Sequence, residues 1–384
     1  MEHILIISDF PDLQYKKDSG TPSLRLIIEA LSKKYILHII SPTGHGKNTD
    51  TVKYHYLNIT TSILPTKFRI FRYINSKLFW VRFNISAIRT SITFNKKYNF
   101  KLVYGAGCTS VYIASKIGKE LNIPSIGRLF GTYLYPFLNN SISLRMRFEE
   151  YMAFKSDCTK FIITNDGTMG DRVAEYFNIP KNKLYFWRNG VEVQDPIYIP
   201  SKNLRIVSMA RLDSWKRVDR IIKAFSEAVK QNDNMVLDII GDGTEEHKLQ
   251  ELAYYTYGLR DKIMFYGEVN RKEALDFIRC SDVFISTNDY SNLSNSLMEA
   301  MVCGKLVIAL NTGGTSEIVH DGITGLLVDK EEDLYKAILR SYNDNEREII
   351  GRCAKMYADV CFDSWNMRIN KEVDVCDRLI LGVL

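Results

Sequence analysis

Several features are missing from this sequence, and each absence narrows what the protein is expected to be. There is no uninterrupted apolar run of about 18 residues, so no transmembrane helix is predicted. The start lacks a basic region before its apolar residues, which favours a first β-strand over a secretory leader. The seven cysteines are scattered and form no C-x-x-C pair, so neither a zinc site nor a disulfide framework is predicted. A reducing cytoplasm is therefore the expected location.

Acidic residues are absent from one long stretch. Between Thr51 and Lys119 there are twelve basic residues and no Asp or Glu. Residues 1–190 hold 27 Lys and Arg against 13 Asp and Glu, so the net charge of +6 combines a basic first half with an acidic remainder. Two interpretations remain open: one lobe faces an anionic surface, or the basic side is only solvated.

The length of 384 residues suits two domains of about 150–200 residues each. Short apolar runs alternate with segments of helical period, which predicts α/β architecture with parallel sheets. The predicted strands of the first half are 3–7, 36–41, 52–57, 102–104, 125–129, 160–164 and 183–187. Those of the second half are 204–209, 235–240, 263–266, 283–286, 306–309 and 325–328. The sequence thus predicts two tandem Rossmann-like domains whose carboxyl-terminal strand edges face each other across a cleft.

A segment with two prolines separates the two series. Residues 194–201 contain Pro196 and Pro200 and break both periodicities, which indicates the interdomain linker. The predicted domains are residues 1–193 and 203–363.

Two cations follow the first strand of the second half. Arg211 leaves the strand end, and Lys216 stands where the next helix begins. A guanidinium and an ammonium beside a helix amino terminus form a diphosphate site. The alternative is two solvated loop cations.

A carboxylate occurs inside an apolar helical segment further along. Glu299 is surrounded by Leu297, Met298, Ala300 and Met301, and Ser294 or Asn295 can cap the helix. A buried carboxylate needs a partner, and two adjacent ribose hydroxyls would serve. The alternative is a Glu on the solvent face. The Gly313-Gly314 pair after another strand permits close backbone approach to a ligand.

These motifs stand in one order and resemble a known family. Ala210-Arg211-Leu212, Ile240-Gly241-Asp242-Gly243, Leu297-Met298-Glu299-Ala300-Met301 and Gly313-Gly314-Thr315 are similar to the second domain of family-4 retaining glycosyltransferases with the GT-B fold. The resemblance covers about residues 160–370. It implies a nucleotide-diphospho-sugar donor, retention of anomeric configuration, and no metal or other cofactor. No D-x-D triplet occurs in the sequence. Residues 364–384 resemble the last helix of the family, which returns to the first domain.

The resemblance also implies roles for individual positions. Catalytic roles fall on Arg211, Lys216, Ser291 and Glu299, with the cations on the diphosphate and Glu299 on the ribose. Donor contacts are implied for Gly241, Asp242, Asn292, Leu293, Ser294, Gly313 and Gly314. On the acceptor side stand Gly20, Thr21, Arg128 and Phe130.

Two positions depart from the family pattern. Ser291 occupies the place of a Glu that reaches the donor sugar, and Asp289 is a candidate substitute for that carboxylate. Phe130 stands where the family often has a His, so acceptor-side chemistry does not transfer directly, and Arg128 or Thr132 would contribute instead. In the family the leaving phosphate is thought to act as the base, so a missing His would not abolish activity.

A basic helix is predicted between residues 67 and 92. Its apolar residues recur at spacings of 3 and 4, at Phe71, Ile74, Leu78, Val81, Ile85, Ile88 and Ile92. We expect this stripe to be core. The cations of residues 66–101, with Phe79 and Trp80, would face an anionic membrane or a pyrophosphate-linked lipid acceptor. The alternative is a crossover helix with a solvated basic side.

Three functions follow from these patterns. The first is a retaining glycosyltransferase that acts on a glycan or lipid-linked acceptor in cell-surface polysaccharide biosynthesis, peripheral on the inner face of the plasma membrane. The second is a nucleotide-sugar epimerase or hydrolase on the same fold. The third is a non-catalytic nucleotide-sugar-binding partner. No nucleic acid is expected as a partner.

Overall fold

The computed structural model describes residues 1–10, 22–60, 63, 68–192, 195, 197, 202–290 and 292–383, with only the backbone of Arg69. The chain divides into two compact units. The first contains Met1–Asn165, Met169–Trp187 and Asn366–Leu384, and the second contains Asp166–Thr168 and Arg188–Trp365.

The first unit is built on a seven-stranded sheet whose strand pairs are all parallel. Its strands are β1 His3–Ser8, β2 Ile36–Ser41, β3 Val52–Tyr56, β4 Leu102–Ala106, β5 Ser125–Leu129, β6 Lys160–Thr164 and β7 Leu184–Trp187. Their order across the sheet is β3-β2-β1-β4-β5-β6-β7. The order reverses between β1 and β4, as in doubly wound folds.

Among the described residues up to β7, six helices connect or cover the strands. They are α1 Ser23–Leu31, α2 Arg69–Tyr98, α3 Cys108–Leu121, α4 Ser141–Met146, α5 Phe148–Phe154 and α6 Gly170–Tyr176. Short 3-10 turns occur at Tyr135–Phe137 and Lys181–Lys183.

The second unit has a six-stranded sheet, again with parallel pairs. Its strands are β8 Leu204–Met209, β9 Met235–Ile240, β10 Ile263–Phe265, β11 Val283–Ser286, β12 Leu306–Leu310 and β13 Leu326–Val328. The order β10-β9-β8-β11-β12-β13 reverses between β8 and β11. Ligands of such sheets bind at this reversal, beyond the carboxyl ends of the strands.

Helices cover both faces of the second sheet. They are α7 Val218–Val229, α8 Glu246–Glu251, α9 Arg271–Cys280, α10 Asn295–Val302, α11 Leu334–Arg340 and α12 Asp344–Cys361. A π-helical turn, Leu252–Thr256, continues α8, and 3-10 turns occur at Ser214–Lys216, Thr315–Glu317 and Glu331–Asp333. The last helix, α13 Trp365–Ile380, lies almost entirely in the first unit.

The strands of the second sheet are buried on both faces. Ile206 of β8 packs into one hydrophobic cluster, and its neighbour Val207 packs into the other. Successive side chains of a strand point to opposite faces, so continuous apolar runs are required where helices cover both. This is why short runs of Val, Ile and Leu were sufficient to predict these strands.

The predicted fold class, α/β with two Rossmann-like units, is confirmed by the two parallel sheets. Most of the predicted linker, residues 194–201, lies outside the described residues. No described helix is both long enough and apolar enough to cross a bilayer.

One expectation about α2 was wrong. The stripe expected to be core is open in its middle, where Leu78, Val81 and Ile85 are 39%, 45% and 46% exposed. The helix packs on the sheet through a different face, which includes the buried Phe83 and Ala87. Helical period identifies an apolar face but does not say which face meets the sheet.

Candidate functional site

Polar loops converge at the carboxyl edge of the second sheet. Residues 210–217 follow β8, and residues 287–294 follow β11, so these two loops flank the point where strand order reverses. The loop after β9 carries Gly241 and Asp242, and the loop after β12 carries Gly313 and Gly314. The topology thus brings the predicted donor residues to one edge of one sheet.

Lys216 is a buried cation in the loop after β8. Lys216 is the last residue of the 3-10 turn Ser214–Lys216, and it is 8% exposed. Its ammonium nitrogen lies 4.1 Å from the centre of the Trp215 ring. The Asn288 amide, in the orientation that satisfies both groups, places its oxygen 3.3 Å from that nitrogen.

The surroundings of Lys216 favour an anionic ligand. Burial, with a smaller contribution from the charge of Arg211, lowers the pKa of Lys216 to about 8. Among the described residues, no carboxylate lies within 4.0 Å of the ammonium group. A buried cation that lacks a close counter-ion is stabilised when an anion binds beside it.

Arg211 lies on the solvent side of the same loop. Its side chain is 69% exposed, and its Nη1 atom is 3.4 Å from a carboxylate oxygen of Asp213. The guanidinium carbon is 6.0 Å from the centre of the Trp215 ring. Trp215 therefore contacts both cations, a feature that the sequence reading did not identify.

Glu299 is buried and paired with an arginine. The residue is 2% exposed, and one oxygen of its carboxylate accepts a hydrogen bond from Arg271, the first residue of α9. Arg271 also lies 3.4 Å from a carboxylate oxygen of Glu192. Burial raises the pKa of Glu299, and the charge of Arg271 opposes that rise. The solvent-face alternative is therefore excluded, and Arg271 supplies the partner that the buried carboxylate requires.

The loop before α10 is held by side-chain hydrogen bonds. Asn292 donates from Nδ2 to the carbonyl of Thr312 at 2.7 Å, and its buried Oδ1 has no partner among the described residues. The Leu293 amide donates to the carbonyl of Asp166 at 3.0 Å. Ser294 caps the helix, accepting from the Leu297 amide at 3.2 Å. Ser291 lies outside the described residues.

The glycines of the site are explained by the packing of the chain itself. A Cβ on Gly313, which has φ of 53°, would lie 2.6 Å from the carbonyl oxygen of Gly167. A Cβ on Gly241, with φ of 124°, would lie 2.0 Å from the carbonyl oxygen of Ala210. Any larger residue would therefore push two loops apart. The close approach expected for a ligand is made in this structure by neighbouring backbone.

Residues 166–168 belong to the second unit although they follow β6 of the first. Asp166 accepts from the Thr168 hydroxyl at 2.5 Å, and its charge partly opposes the lowering of the Lys216 pKa. The sequence contained no signal that this short segment would join the donor-side loops, because a three-residue excursion has no period or composition of its own.

Asp289, the candidate substitute for the missing Glu, is already engaged. Its carboxylate lies 2.7 Å from Arg220 and 3.7 Å from Arg217. Contact with a donor sugar would have to compete with these two ion pairs, and this role remains a prediction.

On the first unit, the expected acceptor contact of Arg128 requires correction. Arg128 is 1% exposed, and its Nη1 atom donates to the Thr164 hydroxyl at 2.9 Å. Its guanidinium lies 4.4 Å from the ring centre of Phe130, and that ring meets Phe10 edge to face at 5.6 Å. Because the guanidinium is enclosed, Arg128 is not exposed for direct contact with an acceptor.

Other acceptor-side positions remain predictions. Thr132 donates from its hydroxyl to Glu150 at 3.1 Å. Gly20 and Thr21 lie outside the described residues. Phe130 is half-buried and carries no group that can titrate.

Comparison with known proteins finds a family match in the second half of the chain. Residues 192–356 match the family described as glycosyl transferases group 1. The match covers less than half of the chain. It includes every donor-side position discussed above except those of residues 166–168.

A curated relative likewise matches only part of the chain. An uncharacterized glycosyltransferase of Methanocaldococcus jannaschii is 31% identical over 182 residues, which is 46% of this chain and 46% of the relative. The chain spans about half the length of the curated relatives that it matches, from 46% to 57% in three of them.

Solved structures cover the whole chain and show its fold. The sucrose-phosphate synthase of Thermosynechococcus elongatus matches with a TM-score of 0.78 and 16% identity over 100% of both chains. The Anabaena protein HepE, solved in complex with UDP-glucose, matches with a TM-score of 0.70 and 16% identity over 98% of this chain and 100% of its own. These neighbours confirm the predicted GT-B fold class.

Proposed function

We propose that this protein is a retaining glycosyltransferase. It moves a sugar from a nucleotide-diphospho-sugar to a glycan or lipid-linked acceptor in cell-surface polysaccharide biosynthesis, without a metal ion. The observation that carries the proposal is the buried Lys216 beside Arg211 at the strand-order reversal of the second sheet.

The two cations suit a diphosphate. The Lys216 ammonium is held in place by Trp215 and Asn288, so its position is set before a ligand arrives. The exposed Arg211 guanidinium offers a planar fork for phosphate oxygens. Together they neutralise the charge that grows on the leaving nucleoside diphosphate, the task that a metal ion performs elsewhere.

The Glu299–Arg271 pair suits the ribose. Arg271 occupies one side of the carboxylate, and its charge opposes the effect of burial on the pKa of Glu299. The remaining lone pairs of a carboxylate accept hydrogen bonds from two adjacent hydroxyls. In this proposal Glu299 orients the nucleoside and thereby places the diphosphate on Lys216.

The proposed reaction is the one that the resemblance to retaining glycosyltransferases implies. The bond between the anomeric carbon and the phosphate oxygen breaks, and a bond from the acceptor hydroxyl forms on the same face of the sugar. The proton of that hydroxyl passes to the leaving phosphate oxygen. Arg211 and Lys216 stabilise the departing diphosphate, so we assign them the catalytic role.

The acceptor is proposed to be presented at a membrane. The stretch from Thr51 to Lys119 has twelve cations and no acid, and α2 carries several of them on its exposed surface. This would place the protein at the cytoplasmic face of an anionic bilayer.

Isothermal titration calorimetry with UDP in the presence of EDTA tests the donor site. UDP is the first probe because HepE was solved with UDP-glucose. Binding should persist in EDTA and be lost in Lys216→Met, while Lys248→Met, whose side chain is 79% exposed, should bind as wild type. Loss of binding in EDTA would contradict the metal-independent cation site.

Product analysis distinguishes three enzymatic outcomes from a non-catalytic binding protein. Pure protein is incubated with a panel of nucleotide sugars, with and without a lipid-extract acceptor. Transfer with retained configuration supports the proposal. Free sugar, an epimerised donor or unchanged donor would indicate hydrolysis, epimerisation or a non-catalytic binding protein.

A further inference from the structure

The exposed face of α2 carries apolar residues that belong neither to the core of the first unit nor to the proposed donor site. Ile70, Leu78, Val81 and Ile85 are 65%, 39%, 45% and 46% exposed, large fractions for apolar residues of a folded unit. At about 100° per residue, these four side chains and the half-buried Ile74 lie within an arc of about 80° on the helix. They form one row about 22 Å long, from residue 70 to residue 85. We call it the apolar row.

The apolar row is flanked by cations. Arg82 and Arg89 lie within about 40° of one margin of the row, and Lys77 lies about 20° beyond the other. All three are exposed, as is Arg72 nearer the start of the helix. Lys77 also lies 4.7 Å from the ring centre of Tyr73 and 5.0 Å from that of Phe148, so it is held beside the row.

The opposite side of α2 packs into the core of the first unit. Phe83 and Ala87 are fully buried in the cluster that contains Leu5 and Val103, on the far side of the helix from the apolar row. Trp80 packs edge to face on Phe148 at 4.8 Å. The helix is therefore fixed in rotation, and its exposed face cannot turn inward without emptying this core.

We propose that the apolar row of α2 inserts into the interface of an anionic bilayer, with Lys77, Arg82 and Arg89 on the lipid phosphates. An apolar stripe between basic margins is the pattern of helices that lie in the plane of a membrane interface. The inference rests on the proposed function, because a lipid-linked acceptor is presented at such a surface.

Charge favours a bilayer over a second copy of the chain. In a two-fold symmetric dimer through this face, the same basic surface of each copy, including Arg82 and Arg89, would be buried against the other. No acid stands between Thr51 and Lys119 to compensate, and like charges across an interface are unfavourable. An anionic lipid surface accepts every cation of the face at once.

Vesicle partitioning of the full chain tests the proposal. The probes are vesicles of phosphatidylcholine alone and of phosphatidylcholine with about 30% phosphatidylglycerol. The variant Leu78→Ser/Val81→Ser/Ile85→Ser removes apolar surface from the row. The variant Arg82→Gln/Arg89→Gln removes charge from its margin. The matched control is Met356→Ser/Val360→Ser, which changes residues of α12 that are 70% and 86% exposed.

Wild type should bind the anionic vesicles more tightly than the neutral ones, and raising the salt should weaken that binding. The triple Ser variant should lose about tenfold or more of the partition constant, because partial burial of three apolar side chains is removed. The double Gln variant should lose a similar factor and most of the salt dependence. The control should stay within about twofold of wild type.

Insertion is measured directly with Val81→Trp. Brominated phosphatidylglycerol should quench tryptophan fluorescence more in Val81→Trp than in wild type, and Met356→Trp should add no quenching beyond that of wild type. Equal vesicle binding by wild type and the triple Ser variant would overturn insertion and leave only surface charge. Self-association of wild type that the triple Ser variant abolishes, without vesicle binding, would make the face an interface between copies and would also overturn the proposal.

UDP titration of every variant keeps this test separate from the donor site. All variants should bind UDP as wild type does, which also reports that the second unit is folded. A wild type that binds vesicles but not UDP contradicts the proposed function alone. A wild type that binds UDP but not anionic vesicles contradicts the membrane surface alone.

Discussion

Arg128 of β5 and Glu372 of α13 form an ion pair inside the first unit, with 3.4 Å between Arg128 Nε and Glu372 Oε1. Arg368, one turn earlier on α13, lies 2.9 Å from the other carboxylate oxygen, and Tyr104 donates its hydroxyl to the carboxylate. Burial alone would raise the pKa of Glu372, but the two arginines hold it below its usual value. The last helix is thus tied to the first sheet by one carboxylate shared between two buried cations.

Replacing this carboxylate should destabilise the first unit strongly. Glu372→Gln removes the negative charge that Arg128 and Arg368 share, and we expect a loss of about 3–5 kcal/mol in the free energy of unfolding. Urea unfolding measures it. Glu175→Gln, which breaks an exposed pair with Arg172, is the control and should cost less than about 1 kcal/mol. A small effect at Glu372 would mean that the arginines find water or other partners.

Donor affinity should depend on pH through Lys216. Because the pKa of Lys216 in the free protein is about 8, the ammonium loses its proton as pH rises from 7 to 9. An anionic diphosphate favours the protonated form, so UDP affinity should fall over this range. Calorimetry at pH 7, 8 and 9 measures the change.

Lys216→Arg provides the control for this pH dependence. A guanidinium stays charged throughout the range, so the decrease above pH 8 should disappear in this variant even if the affinity itself is lower. A decrease that persists in Lys216→Arg would place the titrating group elsewhere.

The Glu299–Arg271 pair should make donor binding weaker as the pH falls. Glu299→Gln should weaken UDP binding by about 1–3 kcal/mol and leave the fold intact, because a charged acceptor is lost.

Arg271→Gln removes the charge that opposes the burial effect, so the pKa of Glu299 should rise further. As the solution is acidified, the UDP affinity of Arg271→Gln should therefore begin to fall at a higher pH than that of wild type. Calorimetry that finds the same pH dependence in both would separate Arg271 from the donor site.

Three histidines on adjacent strands predict an acid-sensitive first unit. His3 Nδ1 lies 3.0 Å from His38 Nε2, and His38 Nδ1 lies 3.2 Å from His55 Nε2. Burial lowers the pKa of His38 to about 4, assisted by the charges of His55, His3, Lys53 and Lys97. Burial also lowers the pKa of His3 and His55.

The sign of the effect follows from the unfolded state. Unfolded histidine has a pKa near 6.5, so the unfolded chain takes up protons first as pH falls. Stability from His38 is complete above about pH 6.5 and is lost between there and pH 4, by up to about 3 kcal/mol. Urea unfolding at pH 7.5 and pH 5 measures this loss, and His38→Phe should reduce it. His247→Gln, on an exposed side chain, should leave the loss unchanged.

Much of the fold was predictable because its signals are local. Strands β2, β5, β6, β8, β9 and β11 have the bounds predicted from short apolar runs. Parallel strands covered on both faces require such runs, and each run is complete within about six residues. The loops at the carboxyl edge were predictable for the same reason, since a parallel sheet collects all of its strand ends on one side.

Which charged side chains pair with each other could not be predicted from local sequence patterns. A buried carboxylate at position 299 had to have a partner, but the identity of Arg271 depends on how α9 and α10 pack, 28 residues apart. Arg128 was expected to meet an acceptor and instead meets Glu372, 244 positions later in the chain. Which charges meet is decided by helix docking on the sheet, and no periodicity encodes it.

The sequence by itself determined the two α/β units, the order of their strands along the chain, and the cations and carboxylate of the donor-side edge, because each depends on a few neighbouring residues. Only the tertiary structure decided that Lys216 is enclosed, that residues 166–168 join the second unit, and that α2 turns Phe83 and Ala87 inward while Leu78, Val81 and Ile85 stay exposed. The physical reason is that a helix with apolar residues on more than one face buries the face that fits the sheet, and fit depends on side chains that are distant in the chain.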